Sequence, residues 1–156
     1  MLLNHYTAFL EKHMQGKLGS LINEKGDVCK FTSYSNQFAS ALLPMLLHQF
    51  VTIVVGSDNT PETGESYKLK NEIGSGLNVA LTRNVVDNDD GSHSSIVVAN
   101  ITNISSSPIT IGEIAMKANI QYSSLSTFYF DRTPLGTPLV IQPGEVGRIV
   151  YTITMS

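Results

Sequence analysis

The spacing of hydrophobic residues changes near residue 50 and divides the chain into two regions. In the first region, apolar residues recur every three or four positions, which is the period of an α-helix. This spacing predicts a short amphipathic helix over residues 2–14, with its apolar face formed by Leu3, Tyr6, Leu10 and Met14.

A second helix is predicted immediately before the change of period. Ser35 or Asn36 is suited to cap its start, and apolar residues recur from there through Phe50. Pro44 lies inside this segment, so we expect the helix to kink or to end its first half there. The apolar side chains exceed what one buried helix face needs, which predicts that they contact a neighbouring subunit; the contact candidates are Leu42, Leu46, Leu47 and Phe50.

Between the two helices, residues 18–31 predict a β-hairpin. Leu21 and Ile22 form its first strand and residues 28–31 its second. The turn over residues 23–27 contains Gly26, which can adopt the positive φ that such a turn requires.

From residue 50 onward the hydrophobic period is close to two, which indicates β-strands. The turn signals between the strands are Gly- and Pro-rich and no helical pattern intervenes, as is typical of an antiparallel β-sandwich or jelly-roll. We therefore predict a mainly β chain with a helix and hairpin region over residues 1–50 and a β-sandwich domain over residues 51–156. The predicted strands are residues 51–56, 77–86, 94–104, 109–116, 125–130, 139–141 and 148–155.

Composition narrows the class of protein. The chain has 156 residues, a net charge of −3 and only 15% charged residues, against roughly 25% in soluble proteins. Its 42% of hydrophobic residues is too high for a disordered chain. The absence of a basic stripe argues against nucleic-acid binding, and no apolar run reaches the ~18 residues of a membrane span. The start of the sequence lacks the pattern of a secretory signal, so we expect synthesis in a cytoplasm.

Motifs for catalysis, cofactors and metals are missing from the sequence. Cys29 is the only cysteine, so neither an internal disulfide nor a cysteine-based zinc site is available. The acidic loop over residues 87–91 is predicted to be an exposed hairpin turn, with cation binding as the alternative. We find no Gly-x-Ser-x-Gly elbow, and the four histidines have no paired spacing. We predict a protein that is not an enzyme and has no cofactor; a hydrolase with a dispersed triad is the weaker alternative.

One carboxylate stands out within an apolar strand. Glu113 lies in the predicted strand 109–116, where an unpaired buried charge would be costly. Either it faces solvent, or it pairs with Arg132 or Arg148, inside the domain or across a subunit contact. Asp131 is also predicted to pair with Arg132 at a corner between two strands.

Several short segments of the second region, taken in order, resemble sequence motifs of a known group of proteins. In one-letter code, ANITNIS at 99–105 is followed by PITIGEI at 108–114, and these runs resemble the "tN-x-S … itI-x-EiG" pattern of small structural proteins of tailed bacteriophage virions. The resemblance spans residues 50–156 in order and departs from the pattern at Ala115 and at Ser57-Asp58. Its further segments are VGSDNTP at 55–61, YKL at 67–69, FDRTPLGTP at 130–138, QPGE at 142–145 and VYTIT at 150–154.

This resemblance implies a β-sandwich virion component that packs against copies of itself and against other virion proteins. We expect an accessory or decorating role on the head, with a tail, neck or fibre-attachment role as the alternative. In this setting Glu113 and Arg132 are also candidates for subunit contacts. A glycan-binding module is an alternative of another class, with a host glycan as partner and with Tyr122, Phe128 and Tyr129 as candidate aromatic platforms.

Overall fold

The computed structural model describes residues 20–30, 51–63, 66–122 and 124–155. Within these ranges the chain forms eight β-strands and no helix. The two helices predicted over residues 2–14 and 35–50 lie outside the described residues, as do the four contact candidates of the second one. The strands are β1 (Ser20–Ile22), β2 (Val28–Lys30), β3 (Val51–Gly56), β4 (Leu77–Asp87), β5 (His93–Asn103), β6 (Ile109–Tyr122), β7 (Ser124–Ile141) and β8 (Val146–Met155).

These strands form three antiparallel sheets. The hairpin β1-β2 is one of them, and the two larger sheets have the strand orders β3-β6-β7 and β4-β5-β8. Every pairing between the strands is antiparallel. The chain is therefore mainly β and antiparallel, as the period of two predicts. Within the described ranges there is no helix with the length and apolar character of a transmembrane span.

The main hydrophobic core of the described residues contains side chains from both larger sheets. Ile53 of β3 and Phe130 of β7 are buried together with Val97 and Ile101 of β5. The predicted alternation of β4 is confirmed, because its odd-numbered residues from Leu77 to Leu81 pack against this core and the even-numbered ones are exposed. Burial of these β-branched and aromatic side chains is the main term that stabilises such a fold.

The predicted hairpin is also confirmed. Leu21 pairs with Cys29 across it, and Gly26 adopts a φ of 88° in its turn. The Asn23 side chain closes this turn by accepting hydrogen bonds from the backbone N–H groups of Lys25 and Asp27. The backbone N–H of Glu24 donates to the carbonyl of Thr127 at 2.9 Å, so the hairpin lies beside β7. Leu21 and Cys29 belong to the same core as the larger sheets.

One strand differs from its prediction. Residues 125–130 and 139–141 are expected to be separate strands, but the structure has a single strand, β7, over Ser124–Ile141. The ladder with β6 is irregular where residues 135–138 of β7 face Gly112 alone. Pro138 has no N–H to donate to a ladder, so the proline and glycine content of this stretch disturbs the register without ending the strand.

Candidate functional site

Glu113 and Arg132 form a buried ion pair on adjacent strands. The Arg132 Nε–H donates to Glu113 Oε2 over 2.6 Å, and both side chains are 0% exposed. Of the two alternatives for Glu113, exposure to solvent is therefore wrong and pairing with Arg132 is observed. Arg148 is exposed and lies on β8, in the other sheet. The pair lies within one chain; the subunit contact predicted for these residues stays a prediction.

The Glu113 carboxylate also binds the connection between β3 and β4, residues 57–76. Its Oε1 accepts a hydrogen bond from the backbone N–H of Asn71 at 2.8 Å, and its Oε2 accepts one from the N–H of Lys70 at 3.3 Å. Two amides and a guanidinium therefore compensate the charge that β6 buries.

Arg132 reaches another part of the same connection. Its Nη2 donates to the carbonyl of Thr60 at 3.2 Å and to Asp58 Oδ1 at 3.4 Å. Asp58 accepts two further hydrogen bonds from Thr60, and these bonds lower the pKa of its carboxyl group. The ion pair thus holds both the start and the end of the β3–β4 connection against β6 and β7.

Gly56 makes this arrangement sterically feasible. It lies opposite Glu113 in the β3-β6 register. A Cβ atom at residue 56 would clash with the Glu113 carboxylate and would lie 2.6 Å from the carbonyl oxygen of Asn71. That carbonyl accepts a hydrogen bond from the N–H of Ser57 at 2.9 Å, which holds the connection beside the end of β3.

A small apolar cluster adds to the contact between the β3–β4 connection and the β3-β6-β7 sheet, away from the main core. Leu69 of the connection packs with Ala115 and Tyr129 on the face of the β3-β6-β7 sheet opposite the main core. The Tyr129 hydroxyl donates a hydrogen bond to the Glu72 carboxylate, which also accepts one from Lys117 Nζ at 2.6 Å. Burial, and then the hydrogen bond to Glu72, raise the pKa of Tyr129.

The ion pair predicted between Asp131 and Arg132 is wrong. Arg132 pairs with Glu113 and Asp58 instead. The predicted corner is also missing, because β7 runs without interruption through both residues. Consecutive residues of a strand point to opposite faces, so the two side chains diverge. Burial raises the pKa of the Asp131 carboxyl group.

The acidic loop at residues 87–91 is a hairpin turn, as predicted. Asp90 Oδ1 accepts hydrogen bonds from the backbone N–H and the hydroxyl of Ser92, which lower the pKa of Asp90. The Asn88 N–H donates to the carbonyl of Ser92 at 2.8 Å and closes the loop. In the part of the chain that the structure describes, no three His, Cys, Asp or Glu residues come together as a metal site would require.

Two other candidate groups are buried. Phe128 and Tyr129 have almost no exposed surface, so neither forms the exposed aromatic platform considered for glycan binding; the side chain of Tyr122 lies outside the description. Cys29 is a free, buried thiol, and burial raises its pKa.

An open cleft of about 390 Å³ lies between the hairpin turn and the β3–β4 connection. Lys25 of the hairpin and Lys68 and Lys70 of the connection contribute positive charge to it, while Glu24 and Glu72 contribute negative charge. The sequence did not indicate this cleft, because its two walls are more than 40 residues apart in the chain.

Asn71 and Thr60 were also missed as partners of the ion pair, since both contribute backbone groups that carry no sequence signal.

No family model matches the sequence, and no curated protein or solved structure matches the chain.

Proposed function

We propose that the chain is a non-enzymatic structural protein of a tailed-bacteriophage virion, an accessory or decorating component of the head. In this proposal the β3-β6-β7 and β4-β5-β8 sheets are the two layers of a β-sandwich. The protein is made in the host cytoplasm, becomes part of the virion, and acts by packing against copies of itself and neighbouring virion proteins. The motif resemblance over residues 50–156 and the shared core of the two sheets support this proposal.

The outer face of the β4-β5-β8 sheet is the observation that carries the proposal. The register places the even-numbered positions 78–86, 94–102 and 146–152 on one face, opposite the side of the sheet that contributes Val97 and Ile101 to the core. Arg148 is the only charged residue at these positions. Val146 and Val150 are 59% and 49% exposed there. A sheet face with one charge and exposed valines repels a protein neighbour weakly and offers apolar area to it.

Detection of the chain in purified particles tests the proposal. We expect mass spectrometry of gradient-purified virions from the phage or prophage that encodes it to find its peptides at a fixed ratio to the major capsid protein. Cryo-electron microscopy of the same particles then distinguishes a head position from a tail, neck or fibre-attachment position. Particles that are complete but lack the chain would contradict the virion assignment.

The glycan-binding alternative rests on the cleft beside Tyr129. Polar side chains from Lys25, Lys68 and Asn71 line it and could donate hydrogen bonds to hydroxyl groups. Retention of the wild-type chain on immobilised host polysaccharide, with loss of retention in a Lys68→Ala/Asn71→Ala variant, would favour this alternative. A chain that passes through the column unretarded would exclude the polysaccharide tested.

A further inference from the structure

The cleft between the hairpin turn and the β3–β4 connection has more positive charge than its own carboxylates compensate. Its charged lining residues are three lysines and two glutamates: Lys25, Lys68, Lys70, Glu24 and Glu72. The Glu72 carboxylate already accepts hydrogen bonds from Lys117 Nζ and from the Tyr129 hydroxyl. Three lysines therefore stand against one remaining carboxylate, that of Glu24, and the cleft attracts anions.

Two of these lysines have ammonium groups that are available to a ligand. Lys25 and Lys68 are exposed, and neither forms an ion pair or a side-chain hydrogen bond with a described residue. Lys68 Nζ lies 5.8 Å from the centre of the Tyr67 ring, a cation–π contact that leaves its N–H groups available as donors. Lys70 Nζ, by contrast, donates to the Thr60 hydroxyl. A carboxylate that enters the cleft therefore finds two ammonium groups that no other acceptor of the described residues holds.

The acidic loop between β4 and β5 has the opposite charge. It contains Asp87, Asp89 and Asp90, and the last two are exposed. Asp89 makes no side-chain hydrogen bond or ion pair with a described residue. Both hydrogen bonds that Asp90 accepts from Ser92 go to its Oδ1, so its Oδ2 is available to a donor. The loop therefore presents carboxylate oxygens on two consecutive residues.

The cleft and the acidic loop lie in different parts of the fold. Leu69 and Tyr129 of the cleft pack on the face of the β3-β6-β7 sheet opposite the main core, whereas the loop joins two strands of the other sheet, which contributes to that core. The loop also projects into open space, because no atom lies within 4 Å of a Cβ atom placed at Gly91. A contact between loop and cleft therefore requires two molecules, with the loop of one facing the cleft of the next.

We propose that the acidic loop of one copy binds in the cleft of a second copy, where Asp89 and Asp90 accept hydrogen bonds from Lys25 and Lys68. Each copy then has one loop and one cleft to offer, so the contact repeats from chain to chain in a ring or a filament. This contact rests on the proposed function in that it joins copies of the chain. Exposed ion pairs are individually weak and are screened by salt, so the association is strongest where many copies lie side by side.

Charge neutralisation tests the contact at side chains that are exposed in the free chain. The cleft variant is Lys25→Gln/Lys68→Gln and the loop variant is Asp89→Asn/Asp90→Asn; the substitution at residue 90 keeps an oxygen for the hydrogen bonds from Ser92. We expect sedimentation velocity of the wild-type chain at low salt to show association beyond a dimer that increases with concentration and is lost at high salt. Each variant should lower the association constant at least about fivefold.

Mixing the two variants distinguishes a head-to-tail contact from a symmetric one. The cleft variant retains an intact loop, and the loop variant retains an intact cleft. An equimolar mixture should therefore regain one wild-type contact and stop at two chains, whereas each variant alone stays monomeric. Arg148→Gln and Glu145→Gln are the matched controls, because they neutralise exposed charges outside both surfaces; both should associate as the wild type does.

Carbodiimide crosslinking identifies the residues in contact. The reagent joins a carboxylate directly to an amine, so it links only groups that touch. We expect it to link Asp89 or Asp90 to Lys25 or Lys68. In an equal mixture of isotopically light and heavy chains, the linked peptides should include pairs of mixed label, which shows that the bond joins two molecules.

The outcomes separate this contact from the proposed function. A wild-type chain that stays monomeric at every salt and protein concentration overturns the contact, as do crosslinks from the acidic loop to other lysines alone. A loop variant that associates as the wild type does overturns it as well and shows that the cleft binds another acidic surface. None of these results bears on whether the chain is found in virions. Conversely, recovery in the mixture for a protein that is absent from particles supports the contact and contradicts the virion role.

Discussion

The Glu113–Arg132 pair makes a quantitative prediction about stability. Replacing Arg132 with Met keeps most of the buried volume but removes the hydrogen bonds to Glu113, Asp58 and Thr60. It leaves the Glu113 carboxylate buried without its guanidinium. Removing one partner of a buried pair typically costs ~3–5 kcal/mol. Because Glu113 retains the amides of Lys70 and Asn71, we expect the lower end of that range.

A loss of about 3 kcal/mol is large against the ~5–15 kcal/mol stability of a typical domain. For a chain of this length it corresponds to a fall in Tm of roughly 6–12 °C. Urea unfolding followed by far-UV circular dichroism measures the free energy of unfolding for wild type, Arg132→Met, Glu113→Gln and the double variant. We expect the double variant to lose at least about 1 kcal/mol less than the sum of the single losses, since it no longer buries an uncompensated charge.

Arg148→Met is the matched control for this experiment. It makes the same substitution at an exposed arginine on β8, where we expect a change within about 0.5 kcal/mol. If Arg132→Met changed the free energy of unfolding by less than about 1 kcal/mol, or if the two single losses were additive, the pair would not have the role derived from its geometry.

Three further predictions concern other buried groups. Gly56→Ala should lower the free energy of unfolding by ~1–3 kcal/mol in urea titrations. Gly136→Ala is the control and should have little effect, because no atom lies within 4 Å of its added Cβ. Equal losses in the two variants would contradict the close contact between Gly56 and the carbonyl of Asn71. The pKa of Tyr129 is raised in the folded state, so above about pH 10 the unfolded state releases the hydroxyl proton while the folded state keeps it, and the free energy of unfolding falls as the pH rises. Urea midpoints measured from pH 8 to 11 should therefore fall more steeply for wild type than for Tyr129→Phe. Parallel curves for the two proteins would refute this. Cys29, the only thiol, should react with Ellman's reagent slowly in buffer and fast in urea; full reaction within seconds in buffer would show that it is accessible.

The sequence predicts most of the strands because their patterns are local. β3 matches its predicted bounds, and the alternation of β4 is visible in Leu77, Val79 and Leu81. β7 was wrongly predicted as two strands, because the prolines and the glycine between residues 134 and 138 are residues that normally end a strand. In the structure the strand continues through them with an irregular register against β6. Local pattern does not contain that information, since it depends on Gly112 across the ladder.

The candidate site is predictable only at its centre. A buried carboxylate in the apolar strand 109–116 requires compensation, and this requirement made Arg132 one of two candidate partners of Glu113, beside Arg148 and the alternative of exposure to solvent. The structure selects Arg132. The amides of Lys70 and Asn71 lie more than 40 residues away and are identical in kind to every other backbone amide. Their selection follows from how the β3–β4 connection folds back on β6, which only the three-dimensional structure reveals.

The attachment of the β3–β4 connection has a consequence for its dynamics. Residues 57–63 and 66–76 contain no regular strand, and such segments usually exchange their amide hydrogens quickly. Here the Glu113 carboxylate accepts hydrogen bonds from the amides of Lys70 and Asn71, and the Arg132 guanidinium of the same ion pair donates to the carbonyl of Thr60. The two ends of the connection should therefore open as one cooperative unit, with similar protection factors at both, and Arg132→Met should convert this unit into independently exchanging segments.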